Sequence, residues 1–275
     1  MTHELTPKKS LSQNFLRDTS IVTRIAEEGS VTGCDWIIEL GAGDGTLTAE
    51  LARHTQHVIA VEFDRDLIPI LLKRFPLSSS VSIETGDMLS LDLPRLLEKR
   101  TGRADKPYAV FGNIPYGITG KIIRHLLALD PLPKHILLMM QKEVAQRIVA
   151  KEGKHSVLSV AVHLLATSDI LFSVPNDAFF PQPNVESAVI RITPDTDAPP
   201  LHIRENAVKI AKIGFASKRK TLVNNLASGL QKNKKYIETT LLALNIPINA
   251  RAESLDPRTW IALENSLNAS PSEPQ

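Results

Sequence analysis

The chain has 275 residues, 43% hydrophobic and 23% charged, an ordinary globular composition that excludes a fibrous repeat or wholesale disorder. Thirty-two Lys and Arg against 30 Asp and Glu give a net +2, too even to mark the whole chain as a binder of polyanions. A lone cysteine, Cys34, excludes an internal disulfide and a cysteine-clustered metal site.

The first residues, Met1-Thr-His-Glu-Leu-Thr-Pro-Lys-Lys, carry charge with no apolar core behind it and do not read as a signal peptide. No apolar run approaches the roughly 20 residues that cross a bilayer, so a soluble, cytoplasmic protein is expected. Short apolar runs then alternate with segments of helical spacing. Trp36–Leu40, His57–Val61, Val81–Ile83, Tyr108–Phe111 and His135–Met139 predict buried strands, and Leu47–Arg53 and Leu67–Arg74 predict helices between them. This alternation implies βαβ units around a mainly parallel sheet, an α/β fold of Rossmann-like type. Ala161–Leu171 and Ser187–Ile192 read as further strands of the same domain, taken as residues 1–195.

Thr193–Pro200, with three prolines and two aspartates, reads as a linker. Helical patterning follows in Arg204–Phe215, Lys218–Gly229, Lys234–Leu244 and Pro257–Leu267. It predicts a small all-helical domain over residues 200–267, then a polar, disordered tail over 268–275. Charge divides along the same line. Residues 1–200 hold 21 basic and 24 acidic residues, net −3, whereas residues 201–275 hold 11 and 6, net +5. The helical domain is the part suited to a polyanion.

The first chemical signal is Glu39-Leu40-Gly41-Ala42-Gly43-Asp44-Gly45-Thr46, after one strand and before a helix. Glycines there turn the backbone sharply and admit a ligand at the carboxyl edge of the sheet. The spacing is G-x-G-x-G, not the G-x-G-x-x-G of dinucleotide binders. Glu62 ends the next strand, where a carboxylate accepts hydrogen bonds from ribose hydroxyls. Asp87, in Thr85-Gly-Asp-Met-Leu89, follows the third strand and can accept from an adenine amino group. Either acid alone fits a helix N-cap or a solvated turn. Together with Gly41 and Gly43, at three successive strand tips, they describe an adenosine pocket. No P-loop and no Lys or Arg beside the glycines is arranged to hold a pyrophosphate, which favours S-adenosylmethionine over NAD.

The second signal is Asn113-Ile114-Pro115-Tyr116, after the strand Tyr108–Phe111. Pro115 stiffens the loop, brings no backbone donor and biases Ile114 to an extended conformation. Carbonyl oxygens and the Asn113 side-chain oxygen are left to accept, with the aromatic face of Tyr116 beside them. That suits an exocyclic amine such as adenine N6. Its lone pair is delocalised into the ring, and acceptors gripping its hydrogens favour a more tetrahedral nitrogen able to attack a sulfonium methyl. Tyr116 is assigned to stacking on the base, which must first leave its helical or folded context. The eight histidines are scattered, with no HExxH and no close pair, so no metal is expected.

These motifs together resemble the ribosomal RNA adenine dimethyltransferase family, small-subunit enzymes that convert two neighbouring adenosines near the RNA's 3′ end to N6,N6-dimethyladenosine. Lys8-Lys-Ser-Leu-Ser-Gln-Asn-Phe-Leu16 is similar to the family's K-K-x-L-G-Q-N-F-L signature. Gly41–Thr48, Glu62, Gly86-Asp87 and Asn113–Tyr116 match its cofactor and catalytic motifs. Ala178-Phe-Phe-Pro-Gln-Pro-Asn-Val-Glu-Ser187 resembles A-F-x-P-x-P-x-V-x-S, and Phe215–Leu226 resembles the segment that opens the C-terminal domain. Ser12 and Ala42 depart from the family's usual Gly and Pro.

The resemblance implies that Asn14 and Leu16 join Gly41, Gly43, Glu62, Asp87 and Asn113 around S-adenosylmethionine. It implies catalysis by Asn113, Pro115 and Tyr116, with Phe179 opposite Tyr116 across the target adenine. Lys218, Arg219 and Lys220 would meet RNA phosphates. The implied partner is small-subunit ribosomal RNA in the assembling subunit, met by a monomer without metal or membrane. Two alternatives share much of this pattern: the large-subunit methyltransferase of the macrolide-resistance type, and an assembly factor acting mainly by binding.

Overall fold

Strands that are apolar on both faces need cover on both sides, and the sequence supplies it with helices between them. The computed structural model describes residues 7–8, 11, 13–77, 79–103, 105–151, 153–195 and 197–268. Its strands in chain order are β1 (Phe15–Leu16), β2 (Trp36–Leu40), β3 (His57–Glu62), β4 (Val81–Thr85), β5 (Tyr108–Asn113), β6 (His135–Gln141), β7 (Ala166–Val174), β8 (Phe179–Phe180) and β9 (Ser187–Pro194). Helices α1 (Thr19–Val31), α2 (Thr46–His54), α3 (Ile68–Arg74), α4 (Leu93–Thr101), α5 (Thr119–Leu126), α6 (Lys142–Ile148) and α7 (Val157–His163) fall among them. Four more, α8 (Leu201–Gly214), α9 (Leu222–Leu230), α10 (Lys234–Ala243) and α11 (Thr259–Asn268), follow. No helix among the described residues is long and apolar enough to cross a membrane.

Seven strands form one sheet in the order β4-β3-β2-β5-β6-β9-β7, and β1 with β8 forms a separate pair. β4, β3, β2, β5 and β6 run parallel to one another, and β9 is antiparallel to β6. Chain order reverses between β2 and β5, and the crevice beyond their carboxyl ends is where open α/β sheets bind ligands. Register sets Leu40 beside Gly112 at that edge. A Cβ on Gly112 would stand 2.9 Å from the Leu40 carbonyl oxygen, so glycine lets the two strand ends close up.

The chain divides into two compact units. The first comprises residues up to Ala145 with Asp169–Pro194, the second Gln146–Ser168 with the chain from Asp195. The segment 146–168, read from sequence as part of the sheet domain, thus belongs to the second unit. Val160 and Leu164 lie in one apolar cluster with Trp260, Leu226 and Ile237. The strand expected over Ala161–Leu171 begins only at Ala166, because Ser156 and Ser159 cap α7 reciprocally and start a helix before it. Similarly, the helix expected from Lys218 starts at Leu222, where the Thr221 side chain accepts the Asn224 N–H. Of the expected disordered tail, Asn268 ends α11 and the rest lies outside the described residues.

Candidate active site

The glycine loop is built by backbone geometry. The N–H groups of Gly41 and Ala42 both donate to the Val61 carbonyl, at 2.9 and 3.0 Å, which ties the loop to the end of β3. Gly43 has φ 60°, and a Cβ there would press to 3.3 Å on the Phe15 ring, so both conformation and space call for glycine. Asp44 braces the loop from outside: its carboxylate accepts Arg17 Nη1 at 2.7 Å and the Thr46 N–H at 3.1 Å, while its carbonyl accepts Arg74 Nη1 at 2.9 Å.

Glu62 is 7% exposed, and both carboxylate oxygens are engaged. Oε2 accepts the Gly43 N–H at 2.7 Å and Oε1 accepts the Asp64 N–H at 2.7 Å. Burial raises its pKa, and these backbone donors partly offset the rise. The side chain therefore shapes the loop as well as offering its remaining lone pairs to a ligand. Behind it, Glu39 is fully buried, pushed up to about 8 by burial, and receives the Thr48 hydroxyl at 2.5 Å. Asp87 holds its own turn, accepting the Leu89 N–H at 2.9 Å.

The N-terminal segment is pinned to the same edge. Lys8 Nζ reaches Asp64 at 2.6 Å and Asp66 at 2.5 Å, and Gln13 Nε2 donates to Asp64 at 2.9 Å. Burial pushes the Asp64 carboxyl up, but Lys8, Gln13 and the Asp66 N–H together hold it below its ordinary value. Beyond Gln13, Asn113 Nδ2 donates to the Asn14 carbonyl at 2.9 Å. A carbonyl can only accept, so the bond fixes the amide's orientation and leaves Oδ1 as its acceptor.

In the target loop the Ile114 N–H donates to the Met139 carbonyl at 3.2 Å. Tyr116 is half-buried, its phenol raised by burial against the opposing effect of a 2.7 Å hydrogen bond with Ser187. Glycine loop, acidic strand tips, N-terminal segment and target loop enclose a cavity of about 320 Å³. Asn14, Gly41, Gly43, Glu62, Asp87, Asn113, Pro115 and Tyr116 all line it. Leu16 and Phe179 do not: they face each other in the β1–β8 register, 7% and 4% exposed, and belong to the apolar core. Phe180 instead is the exposed ring of that pair. Ser12 lies outside the described residues.

Sequence reading missed Gln13, Phe15, Phe63 and Met88 on the wall. A signal existed for the last two, since each is an apolar residue placed directly after an acid at a strand tip. No described lining residue is cationic, whereas Glu62 and Asp87 are acidic. The arrangement can hold a ligand with hydroxyls, amines or positive charge, and its described residues bring no cation to a phosphate.

In the second unit, Lys218, Arg219 and Lys220 are exposed in the turn between α8 and α9. Asn225, 5% exposed, shapes that turn by donating to the carbonyls of Gly214 and Ser217 at 2.6 and 3.0 Å. None of the three cations makes an ion pair among the described residues.

A family model described as ribosomal RNA adenine dimethylase matches residues 5–269. Ribosomal RNA small subunit methyltransferase A of Geobacillus thermodenitrificans is 38% identical, over 94% of this chain and 90% of its own. The protein of the same name from Acaryochloris marina is 37% identical, over 96% and 98%. Among solved structures, the 23S rRNA methyltransferase ErmE is 25% identical with TM-score 0.70, covering 92% of this chain and 99% of its own. A dimethyladenosine transferase from Plasmodium falciparum has the same fold, with TM-score 0.74 at 24% identity, covering 90% and 95%.

Proposed function

The chain belongs to the ribosomal RNA adenine dimethylase family, and we propose that it transfers methyl groups from S-adenosylmethionine to N6 of two adjacent adenosines near the 3′ end of small-subunit ribosomal RNA. The observation that carries this reading is the meeting, in one cavity, of an acidic cofactor wall without a cation among its described residues and the Asn113–Tyr116 loop. When bound, S-adenosylmethionine supplies an electrophilic methyl on a cationic sulfur. The wall fits such a group: Glu62 and Asp87 accept from hydroxyls and an amine, and nothing there demands a phosphate.

On the target side, Asn113 Oδ1 grips the N6 hydrogens, holding the nitrogen more tetrahedral so that its lone pair points at the methyl. Its Nδ2, committed to Asn14, keeps that oxygen aimed. Tyr116 stacks on the base once it has left its helix. The amine becomes acidic only after attack, so no strong base is required. Leu16 and Phe179 act from behind the wall, seating the N-terminal segment. Lys218, Arg219 and Lys220 hold phosphates and position the RNA of the assembling subunit. The protein works as a monomer.

The likeness to ErmE leaves the choice of ribosomal subunit open, and the identities of 37–38% to small-subunit enzymes favour the small one. The test is methyl transfer to ribosomal subunits isolated without the modification, with mass spectrometry locating the product. Two neighbouring N6,N6-dimethyladenosines near the small-subunit 3′ end are expected. Methylation of large-subunit RNA alone would overturn the assignment.

A further inference from the structure

Ser187 is a buried polar residue of the first unit to which the cofactor and target assignments give no work. It opens β9 opposite Gln141 of β6, is fully buried, and its Oγ lies 2.7 Å from the Tyr116 hydroxyl. That is the one side-chain hydrogen bond it makes among the described residues. A buried hydroxyl is unfavourable unless bonded, so the bond to Tyr116 is what makes this one tolerable.

What the bond does follows from the shape of tyrosine. The phenol oxygen lies on the axis about which χ2 turns, so a bond to it leaves the ring free to spin but fixes where that axis points. The other end of the axis is held by the loop after β5. There the Ile118 N–H donates to the Pro115 carbonyl at 3.2 Å, and the Thr119 hydroxyl donates to the Tyr116 carbonyl at 3.2 Å. Ser187 itself sits on a firm base. The preceding Glu186 pairs with Lys142 at 2.8 Å, and the Lys142 N–H donates to the Glu186 carbonyl at 3.0 Å. The ring is thus gripped at both ends while lining the cavity.

We propose that Ser187 is a positioning residue for methyl transfer: its hydroxyl sets the direction of the Tyr116 ring on which the target base stacks. This rests on the adenine methylation proposed above and deepens it. The segment Ala178–Ser187 then serves the target side through its last residue, since Phe179 is off the cavity wall.

A double-mutant cycle on single-turnover methyl transfer with prebound RNA tests this. Ser187→Ala and Tyr116→Phe should each slow transfer on the order of tenfold through misplacement of the ring. The double variant should match the slower single within about twofold, because both remove the same bond. Ser187→Cys, of similar size but a weak hydrogen-bonding group, should track Ser187→Ala. The KM for RNA and the affinity for S-adenosylmethionine should stay at parent values, while the melting temperature should fall in Tyr116→Phe, which strands the buried Ser187 hydroxyl. Losses that multiply in the double variant would overturn the proposal, as would parent-like transfer by Ser187→Ala or a loss confined to KM or to melting. A parent protein unable to methylate adenine would remove the activity reading and this one together. An active parent with multiplying losses would remove this one alone.

Discussion

The two units use charge in opposite ways. In the first, Asp44, Glu62 and Asp64 are buried, and each is tied to two or more donors that shape the cavity edge. In the second, Lys218, Arg219 and Lys220 stand exposed without ion pairs among the described residues. A buried carboxylate must be hydrogen-bonded to be tolerable, so its partners become part of the site's geometry. An exposed cation pays no desolvation and stays available to an incoming phosphate. Partnered charge sets shape, and unpartnered charge sets attraction.

If that contrast holds, substitutions in the first unit should change chemistry or cofactor affinity and leave salt dependence alone, and substitutions in the second should do the reverse. The largest effect is expected at Asn113. Asn113→Ala removes the acceptor on the reacting nitrogen and the bond to Asn14, and should slow single-turnover transfer by about two to three decades, the scale seen when one preorganised polar group is removed. RNA affinity should barely move. A rate within tenfold of the parent would break the assignment.

Glu62→Ala comes next. Losing hydrogen bonds to a charged group, worth roughly 1.5–3 kcal/mol, should weaken S-adenosylmethionine binding by about one to two decades. The melting temperature should fall as well, because the Gly43 and Asp64 N–H groups lose their acceptor. Calorimetry and thermal melts read the two losses separately, and unchanged affinity would remove Glu62 from the pocket.

Replacing Lys218, Arg219 and Lys220 together with Ala should flatten the plot of log affinity against log salt by up to about 2–3 in slope, the contribution of three phosphate contacts. Turnover at saturating RNA should stay close to the parent value. A slope identical to the parent's would show that these side chains do not meet phosphate.

A dependence on pH sharpens the contrast at its buried extreme. The pKa of Glu39 rises from 4.5 to about 8 in the folded chain, so folding takes up a proton between those values. Its contribution to stability is present in full below about 4.5 and is lost as pH rises toward 8. Glu39→Gln should therefore flatten the fall in melting temperature over that window relative to the parent. An equally steep fall in the variant would mean the carboxyl is ionised in the fold.

Some of this was legible in the sequence because it is periodic or local. β2, β3 and β5 announce themselves as apolar runs, and Gly41–Gly45, Glu62 and Asp87 sit at strand tips whose chemistry can be read residue by residue. What stayed hidden depends on partners distant in the chain. Nothing near Lys8 points to Asp64, 56 residues away. Nothing near Tyr116 points to Ser187, 71 residues on. Glu62 reads as a ribose ligand, but its two backbone donors are visible only once the loop folds back over it. Phe179 and Phe180 are adjacent aromatics, and alternation along β8 buries one and exposes the other, a choice set by pairing with β1. The valines of α7 carry a strand propensity that the Ser156–Ser159 capping box overrides.

The bond between Asn113 and the Asn14 carbonyl, 99 residues apart, also has a meaning in time. A ribosome synthesising this chain releases the first strand early, but its partner, Phe179–Phe180, emerges only after β2 through β7 have been made. Such long-range closures form late, after local elements and neighbouring strands. The nascent chain therefore carries its glycine loop, its acids and both ends of the Asn14–Asn113 bond before β8 arrives to pair with the first strand. The strand pairing that seats Phe15 and Leu16 has to wait until β8 has been made, with helices α8 to α11 still to come.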